Sequence, residues 1–463
     1  MSSKEIKWTI FIITVIGNLI AMLDSTSVNL ALYPISRDLG VPITDVQWVI
    51  VAYMLVLTVF LPFFGKLGDI IPKNKLFTCG FLTFAFGGIL NAMAPSLPML
   101  IFFRCIQALG ASAMISNSAA IIALIFKDTN RGKALGINGT VIAVGGMTGP
   151  ALGGVLINYF GWKAIFLPSV PIALAGAYFA YKLLPSYLPH QKGFKFDYPG
   201  FIYFSISLFA LLLAISEGYK WGWTSVNIII LSIITLVFGA MFYYRDHKIS
   251  YPLINFDTFK IRAFALGNLA VLTSYICMFT NGVLLPIFLL EIKGFSPVLT
   301  GLLILPYSIS MSFTAPLSGR FAGKHGSKEI TRIGPVIMIF ALLICMTFDE
   351  NSRIPIIIIA SAIMGFGSGL FQSPSNTAII TSVKKTELGM ASGILALSRN
   401  LGNIMGVALT ISLFSNFRSD LLEHGVNYSA AFLQSYHFTM GIGIIFGLIC
   451  LAFTFFAYRG KPS

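Results

Sequence analysis

The stretch Ile6–Leu32, IKWTIFIITVIGNLIAMLDSTSVNLAL, decides the fold class and raises the functional question at the same time. It is long and apolar enough to cross a bilayer as a helix, for which about 20 apolar residues suffice. Yet Asp24 lies well inside the run. An acid in the middle of such a helix costs about 2.5–3.5 kcal/mol on insertion scales. It therefore faces a protein interior or a wet cavity and has a partner. Asp24 is the first candidate functional residue.

The rest of the chain has the same character. Of its 463 residues, 56% are hydrophobic and only 10% charged, with a mean hydropathy of +0.84. Soluble chains have about a quarter of their residues charged, so the whole chain, and not one anchor, belongs in lipid. The fold class is an all-α polytopic membrane protein. The net charge of +14 is scattered between apolar runs, which argues against a nucleic-acid partner and for loop charges that set topology. The five cysteines fall in or beside apolar runs without metal-ligand spacing, so neither disulfides nor a metal site is expected. The first apolar run is too long for a signal-peptide core and is expected to stay as a helix.

Apolar runs of membrane-spanning length occur at about 8–30, 46–65, 76–94, 98–125, 134–157, 163–184, 200–216 and 226–244. They continue at about 262–289, 298–318, 332–348, 354–380, 388–413 and 435–457. This predicts fourteen transmembrane helices. With Lys4 and Lys7 inside, 23 of the 31 basic residues lie in inner loops, six in outer loops and two within spans. That bias fixes the expected orientation, with both termini cytoplasmic. The charges do not test the seventh and eighth spans, because removing both leaves the parity of the others unchanged. Tyr219, Trp221 and Trp223 between them suit an interfacial belt. The long inner segments Pro185–Pro199 and Arg245–Lys260 flank this pair. The expected partition is an N-terminal six-helix bundle (1–184), a linker with a two-helix insert (185–261, helices at about 200–216 and 226–244) and a C-terminal six-helix bundle (262–463). Repeated halves around a central site are the usual plan of secondary transporters.

Only Arg104 and Arg399 are basic residues well inside a span. Asp24 sits six to eight residues before the outer end of the first span, and Arg104 about six after the outer start of the fourth. At 1.5 Å per residue the two share a depth, where they can pair. The pairing would govern how readily Asp24 takes a proton, or it would simply hold two helices together. Gly136, Gly145, Gly149-Pro150 and Gly153-Gly154 mark the fifth span as a close-packed, bendable seam. In Gly65–Lys75, Asp69 between glycines suits a helix cap or a charge-assisted bond to a neighbour. Arg399 has no acid within its own span, and Gln372-Ser-Pro-Ser-Asn376 suits a cavity wall. Glu217 and Glu291, near outer ends, are expected to be solvated. There is no Gly-x-x-x-x-Gly-Lys-Ser/Thr loop and no Gly-x-Ser-x-Gly elbow, so nucleotide-driven pumping and hydrolytic catalysis have no motif to stand on. No enzyme activity is expected, and an ion gradient is the remaining energy source.

These motifs resemble the fourteen-helix drug:proton antiporter branch of the major facilitator superfamily. The resemblance rests on Leu23–Leu32, on Gln47-Trp48-Val49 with Ala52–Leu55, and on Gly65-x-Leu67-x-Asp69 with Lys73. It rests further on Arg104-x-x-Gln107-x-x-Gly110, on Gly145-x-x-x-Gly149-Pro150-x-x-Gly153-Gly154, and on Gly161-Trp162-Lys163 with Ile165–Leu167 and Pro171. The departures are Tyr33-Pro34 one residue late, Ile70 for a common arginine, Pro72 for a glycine and Ala108 for a glycine. Some quaternary-ammonium exporters of this branch have carboxylates in helices ten and thirteen; here there are none, which argues against a dication pocket.

The resemblance implies two six-helix bundles plus the insert, and an inner-membrane exporter exchanging protons for an amphiphilic drug or metabolite. It implies proton coupling by Asp24 and Arg104, and gating by Gly145, Gly149, Pro150, Gly153 and Gly154. The cytoplasmic loop motif would be Gly65, Asp69 and Lys73. The expected substrate cavity includes Asn29, Tyr53, Gln107, Gln372, Asn376 and Arg399. A proton gradient replaces any cofactor, and a single chain in the lipid bilayer is the expected working unit. Two alternatives stay open: the same fold moving a lipid, amino acid or siderophore, and a non-transporting membrane sensor.

Overall fold

The computed structural model describes residues 3–126, 128–184, 196–249, 251–325 and 328–457. The expected linker start at 185–195 and the basic residues Arg459 and Lys461 lie outside them, as does the side chain of Pro150. The described residues form fifteen α-helices and three short 3-10 helices. The first half contains α1 (Ser3–Leu39), the one-turn α2 (Ile43–Val46), α3 (Trp48–Ile70), α4 (Lys73–Met93), α5 (Leu97–Ile125), α6 (Asp128–Phe160) and α7 (Ser169–Leu183). Next come α8 (Tyr198–Trp221) and α9 (Val226–Asp246). The second half contains α10 (Arg262–Glu291), α11 (Pro297–His325), α12 (Lys328–Cys345), α13 (Ile354–Thr381), α14 (Leu388–Glu423) and α15 (Tyr428–Ala457).

Local chemistry sets the breaks. Pro72, extended at ψ 129°, separates α3 from α4, since a proline cannot continue the helix before it. Gly222, at φ +85°, reverses the chain between α8 and α9, a conformation that costs other residues a steric penalty. The sixth apolar run is not one helix: a 3-10 turn at Trp162–Phe166 precedes α7. Among the described residues, twelve helical segments are long and apolar enough to cross a membrane. The two long helices outside that set are α6, with glycine at eight of its 33 positions, and α12, whose 18 residues include Lys328, Glu329 and Arg332.

In the first half α1 packs on α5, α6 and α7, and α4 lies between α5 and α7. In the second, α10 packs on α14 and α15, and α13 on α11 and α12. The halves meet along α3–α14 and α6–α11. The closest approaches lie near the face where both ends of the described chain pack, with Phe11, Phe126 and Cys450 in one core. There a Cβ on Gly393 would meet the Leu61 carbonyl at 2.7 Å, and one on Gly65 the Gly389 carbonyl at 2.6 Å. Gly132 and Gly319 pack backbone to backbone, Ser373 Oγ donates to Gly132 O at 3.1 Å, and Thr140 Oγ1 donates to Ser312 O at 3.1 Å. Such contact needs residues without side chains. The structure is therefore closed at this terminal face.

The α8–α9 pair lies outside both sets, with α8 against α3 and α14. Asp197 caps α8 by accepting from Gly200 N at 3.1 Å and pairs with Arg245 of α9 at 2.8 Å. At the other end, Trp223 Nε1 donates to Ser412 Oγ of α14 at 2.9 Å. Trp223 also folds over Gly218, and the neighbouring Glu217 is buried instead of solvated. Glu291 remains exposed and pairs with Arg418 at 3.3 Å.

The seam gives a direct test. Gly132→Leu inserts a side chain where a Cβ already lies 2.9 Å from the Gly319 carbonyl carbon; overpacking of this kind costs about 1–3 kcal/mol. A cysteine placed at Ser373 is expected to react with an impermeant maleimide about fivefold faster or more in that variant, as the closed population falls.

Candidate functional site

Asp24 and Arg104, placed at one depth by sequence, are in contact. Arg104 Nη1 donates to Asp24 Oδ2 at 2.5 Å, and both side chains are buried, with 1% or less of each exposed. Arg104 reaches Asp24 from α5, where the same nitrogen also donates to Gln107 Oε1 one turn away at 2.6 Å. Gln107 Nε2 donates back to Asp24 Oδ1 at 3.0 Å. Asn91 of α4 donates to Gln107 Oε1 at 2.7 Å, and Arg104 Nε to Val49 O at 3.4 Å. The guanidinium lies 4.1 Å from the centre of the Tyr53 ring, a cation–π contact. Gly87 makes room for this cluster, since its Cβ would meet Gln107 Cα at 2.7 Å.

A buried ion pair is compensated only when its remaining hydrogen-bonding groups are also satisfied. Here the carboxylate has a donor on each oxygen, whereas Arg104 Nη2, the Tyr53 hydroxyl and Asn91 Oδ1 have no hydrogen-bond partner among the described residues. The site thus holds its charge pair firmly and keeps spare capacity beside it. Protonating Asp24 would remove the anion that Arg104 Nη1 binds and turn one carboxylate oxygen from acceptor to donor. The site can therefore register a proton as a rearranged set of bonds.

The glycines of α6 pack on the turn of α1 that holds Asp24. A Cβ on Gly145 would meet Leu19 O and Met22 Cβ at 3.2 Å, one on Gly149 would meet Leu23 O at 2.9 Å, and one on Gly153 would meet Ser27 Cβ at 3.1 Å. Ser27 Oγ donates to Gly149 O at 2.8 Å, locking the two helices together. Gly154 is off the seam, facing only Leu30 at 3.7 Å, and Gly136 faces α11 instead.

Asp69 lies at the end of α3 and caps the start of α14 across the halves. Its Oδ1 accepts from Gly389 N at 2.7 Å and Oδ2 from Met390 N at 2.8 Å. A carboxylate there satisfies free N–H groups and meets the positive end of the helix dipole. Lys73, in a segment that reads as a solvated loop, is buried; its Nζ donates to Gly68 O at 2.9 Å and to Asn117 Oδ1 at 3.1 Å.

The remaining residues expected around a cavity divide between the halves. Tyr53 and Gln107 belong to the Asp24 cluster, and Asn29 is exposed on α1. Gln372 of α13 accepts from Tyr275 Oη at 3.4 Å in the second half. Asn376 is buried one turn further, and Arg399 is half-buried beside Tyr275. Sequence reasoning missed Asn91, Asn117 and the buried Asn18–Asn138 bond of 2.7 Å. The available signal was asparagine inside an apolar run, which requires a partner as surely as a charge does.

Comparison with known proteins agrees with this architecture. The sequence matches the Major Facilitator Superfamily over residues 14–244 and 267–463. It is 33% identical to the riboflavin transporter RibZ of Clostridioides difficile (strain 630), over 96% of this chain and 97% of that protein. It is 29% identical to the multidrug resistance protein Stp of Mycobacterium tuberculosis (strain ATCC 25618 / H37Rv), over 89% of this chain and 76% of that protein. In fold it matches the crystal structure of the human organic anion transporter MFSD10 (TETRAN) with a TM-score of 0.68 at 13% identity, over 96% of this chain and 99% of that one.

The hub of the cluster is Gln107, so Gln107→Leu is expected to leave Asn91 Nδ2 and Asp24 Oδ1 without their partner. The loss is about 1–3 kcal/mol, read as a lower melting temperature of the purified protein.

Proposed function

This chain belongs to the Major Facilitator Superfamily, and on that premise we propose that it is a proton-coupled exporter of amphiphilic small molecules, a drug:proton antiporter. The observation that supports the reading is the buried Asp24–Arg104–Gln107 cluster, a protonatable group deep in a span with its bonds shared across α1 and α5. Several relatives named as multidrug resistance proteins point the same way. In this reading α6 and α12 span the membrane with the twelve apolar segments, giving fourteen spans. The units are then 1–184, the linker and insert 185–261, and 262–463. Both termini are cytoplasmic in the cell's inner membrane, and the chain works as a monomer with no cofactor beyond the proton gradient.

The cycle follows from the contacts. In the conformation closed at the terminal face, Asp24 takes a proton from the far side. Neutral Asp24 loosens its hold on Arg104, and the glycine seam of α6 transmits the change along α1. The α3–α14 cap at Asp69 and the Gly132–Gly319 contact then release, and the proton leaves to the cytoplasm as cargo binds. Proton and cargo thus exclude one another.

A second reading is favoured by the RibZ likeness, which extends over nearly the full length of both chains: transport of a riboflavin-like aromatic metabolite. Both readings are tested in proteoliposomes with an acidified lumen, using a panel of drugs and riboflavin. The wild type is expected to accumulate its substrate in the acid lumen while the lumen alkalinises. Asp24→Asn, nearly isosteric, should lose this proton-dependent accumulation by at least about tenfold, the scale of a 1.4 kcal/mol effect, while still folding, at a lower melting temperature because the buried Arg104 loses its counter-charge. Full pH-driven accumulation by that variant would refute coupling through Asp24.

A further inference from the structure

The second half holds a feature that the proton cycle does not use. Arg399 lies twelve residues into α14, about 17 Å along the helix at 1.5 Å per residue, and is half-buried. Among the described residues no hydrogen bond and no carboxylate reaches it, and its electrostatic neighbour is the phenol of Tyr275. The acids of this half lie at helix ends or in turns: Glu291 pairs with Arg418 at 3.3 Å, Glu329 with Arg332 at 3.2 Å, and Glu387 accepts from Asn255 at 2.8 Å. A guanidinium does not shed its proton in a protein. Its charge at this depth is costly unless an anion or electron-rich group meets it.

The surroundings fit such a group. Gly402, one turn on, lets α14 approach α10, since its Cβ would meet Tyr275 Cβ at 2.7 Å; this sets Arg399 beside the Tyr275 ring. Tyr275 stacks on Phe279 at 6.4 Å and donates to Gln372 at 3.4 Å. Gln372 Nε2 lies 3.8 Å from Met278 Sδ, to which Tyr307 Oη donates at 2.7 Å. Aromatic rings, a thioether and an amide are thus linked through Tyr275, the phenol beside the fixed charge of Arg399. Just toward the terminal face, Ala396 and Leu397 pack on residues of α3, among them Leu57 and Val59. Arg399 therefore stands one turn outward from the closed contact between the halves.

We propose that Arg399, with Tyr275 and Gln372, is a substrate-anchoring subsite that selects flat aromatic compounds bearing an anionic or carbonyl-rich edge and rejects permanent cations. Arg399 supplies a forked donor to that edge, and the Tyr275–Phe279 stack supplies a face for the rings. The assignment rests on the transporter reading and narrows its substrate class.

The test is equilibrium binding of two dyes sharing one tricyclic core, the anion fluorescein and the cation rhodamine 6G. Binding is measured to the full chain in nanodiscs, with empty nanodiscs subtracted. The wild type is expected to bind fluorescein at least about tenfold more tightly, a 1.4 kcal/mol preference. Arg399→Gln should erase that preference with an unchanged elution profile and melting curve, and Arg399→Lys should retain part of it. Equal binding of the two dyes by the wild type overturns the assignment even if Arg399→Gln does not fold, and so does a folded Arg399→Gln that keeps the preference. Binding needs no proton gradient, so an Asp24→Asn chain that still prefers fluorescein but pumps nothing separates this subsite from the coupling mechanism.

Discussion

A carboxylate and a guanidinium taken out of water together constrain everything around them. Neither Asp24 nor Arg104 is tolerable alone in an apolar bundle, because removing one partner leaves an uncompensated charge costing about 3–5 kcal/mol. The pair therefore fixes α1 against α5 at one register, and the register fixes what lies beside it. Gln107, one turn from Arg104, binds both members, and Asn91 holds Gln107 from α4. Tyr53 faces the guanidinium from α3. Four helices thus meet on one acid.

Glycine determines how closely the neighbouring helix approaches this cluster. The seam of Gly145, Gly149 and Gly153 lets the backbone of α6 lie on the turn of α1 next to Asp24, while Gly132 and Gly136 of the same helix meet α11 across the halves. One helix therefore meets the Asp24 turn of α1 at one end and the closed face at the other. Contacts without side chains can slide or part with little repacking, whereas interlocked cores cannot. The Asp69 cap on α14 adds a polar latch at the same face, made of two backbone donors that water can satisfy once the halves separate.

The halves are similar in plan and differ in the charge they bury. The first buries an acid with its base, and the second leaves Arg399 without an acid among the described residues. The α8–α9 pair is pinned at both ends, by Asp197–Arg245 and by Trp223–Ser412, and rests on α3 and α14 where the halves join.

The sequence by itself determined the class and where the long apolar helices lie, because apolar length and the cost of charge in lipid are local properties of the chain. Each apolar run overlaps a helical stretch, the sixth one broken by a 3-10 turn, and the family could be read from motifs in order. The shared depth of Asp24 and Arg104 was likewise calculable from helical rise alone. What only the tertiary structure decided is which polar groups meet. Asn91 became part of the site, Lys73 turned inward to Asn117, Glu217 became buried, and Gln372 met Tyr275. Depth along a helix follows from counting residues, but the direction a side chain faces depends on helix rotation and on neighbours distant in sequence, and those are set by packing.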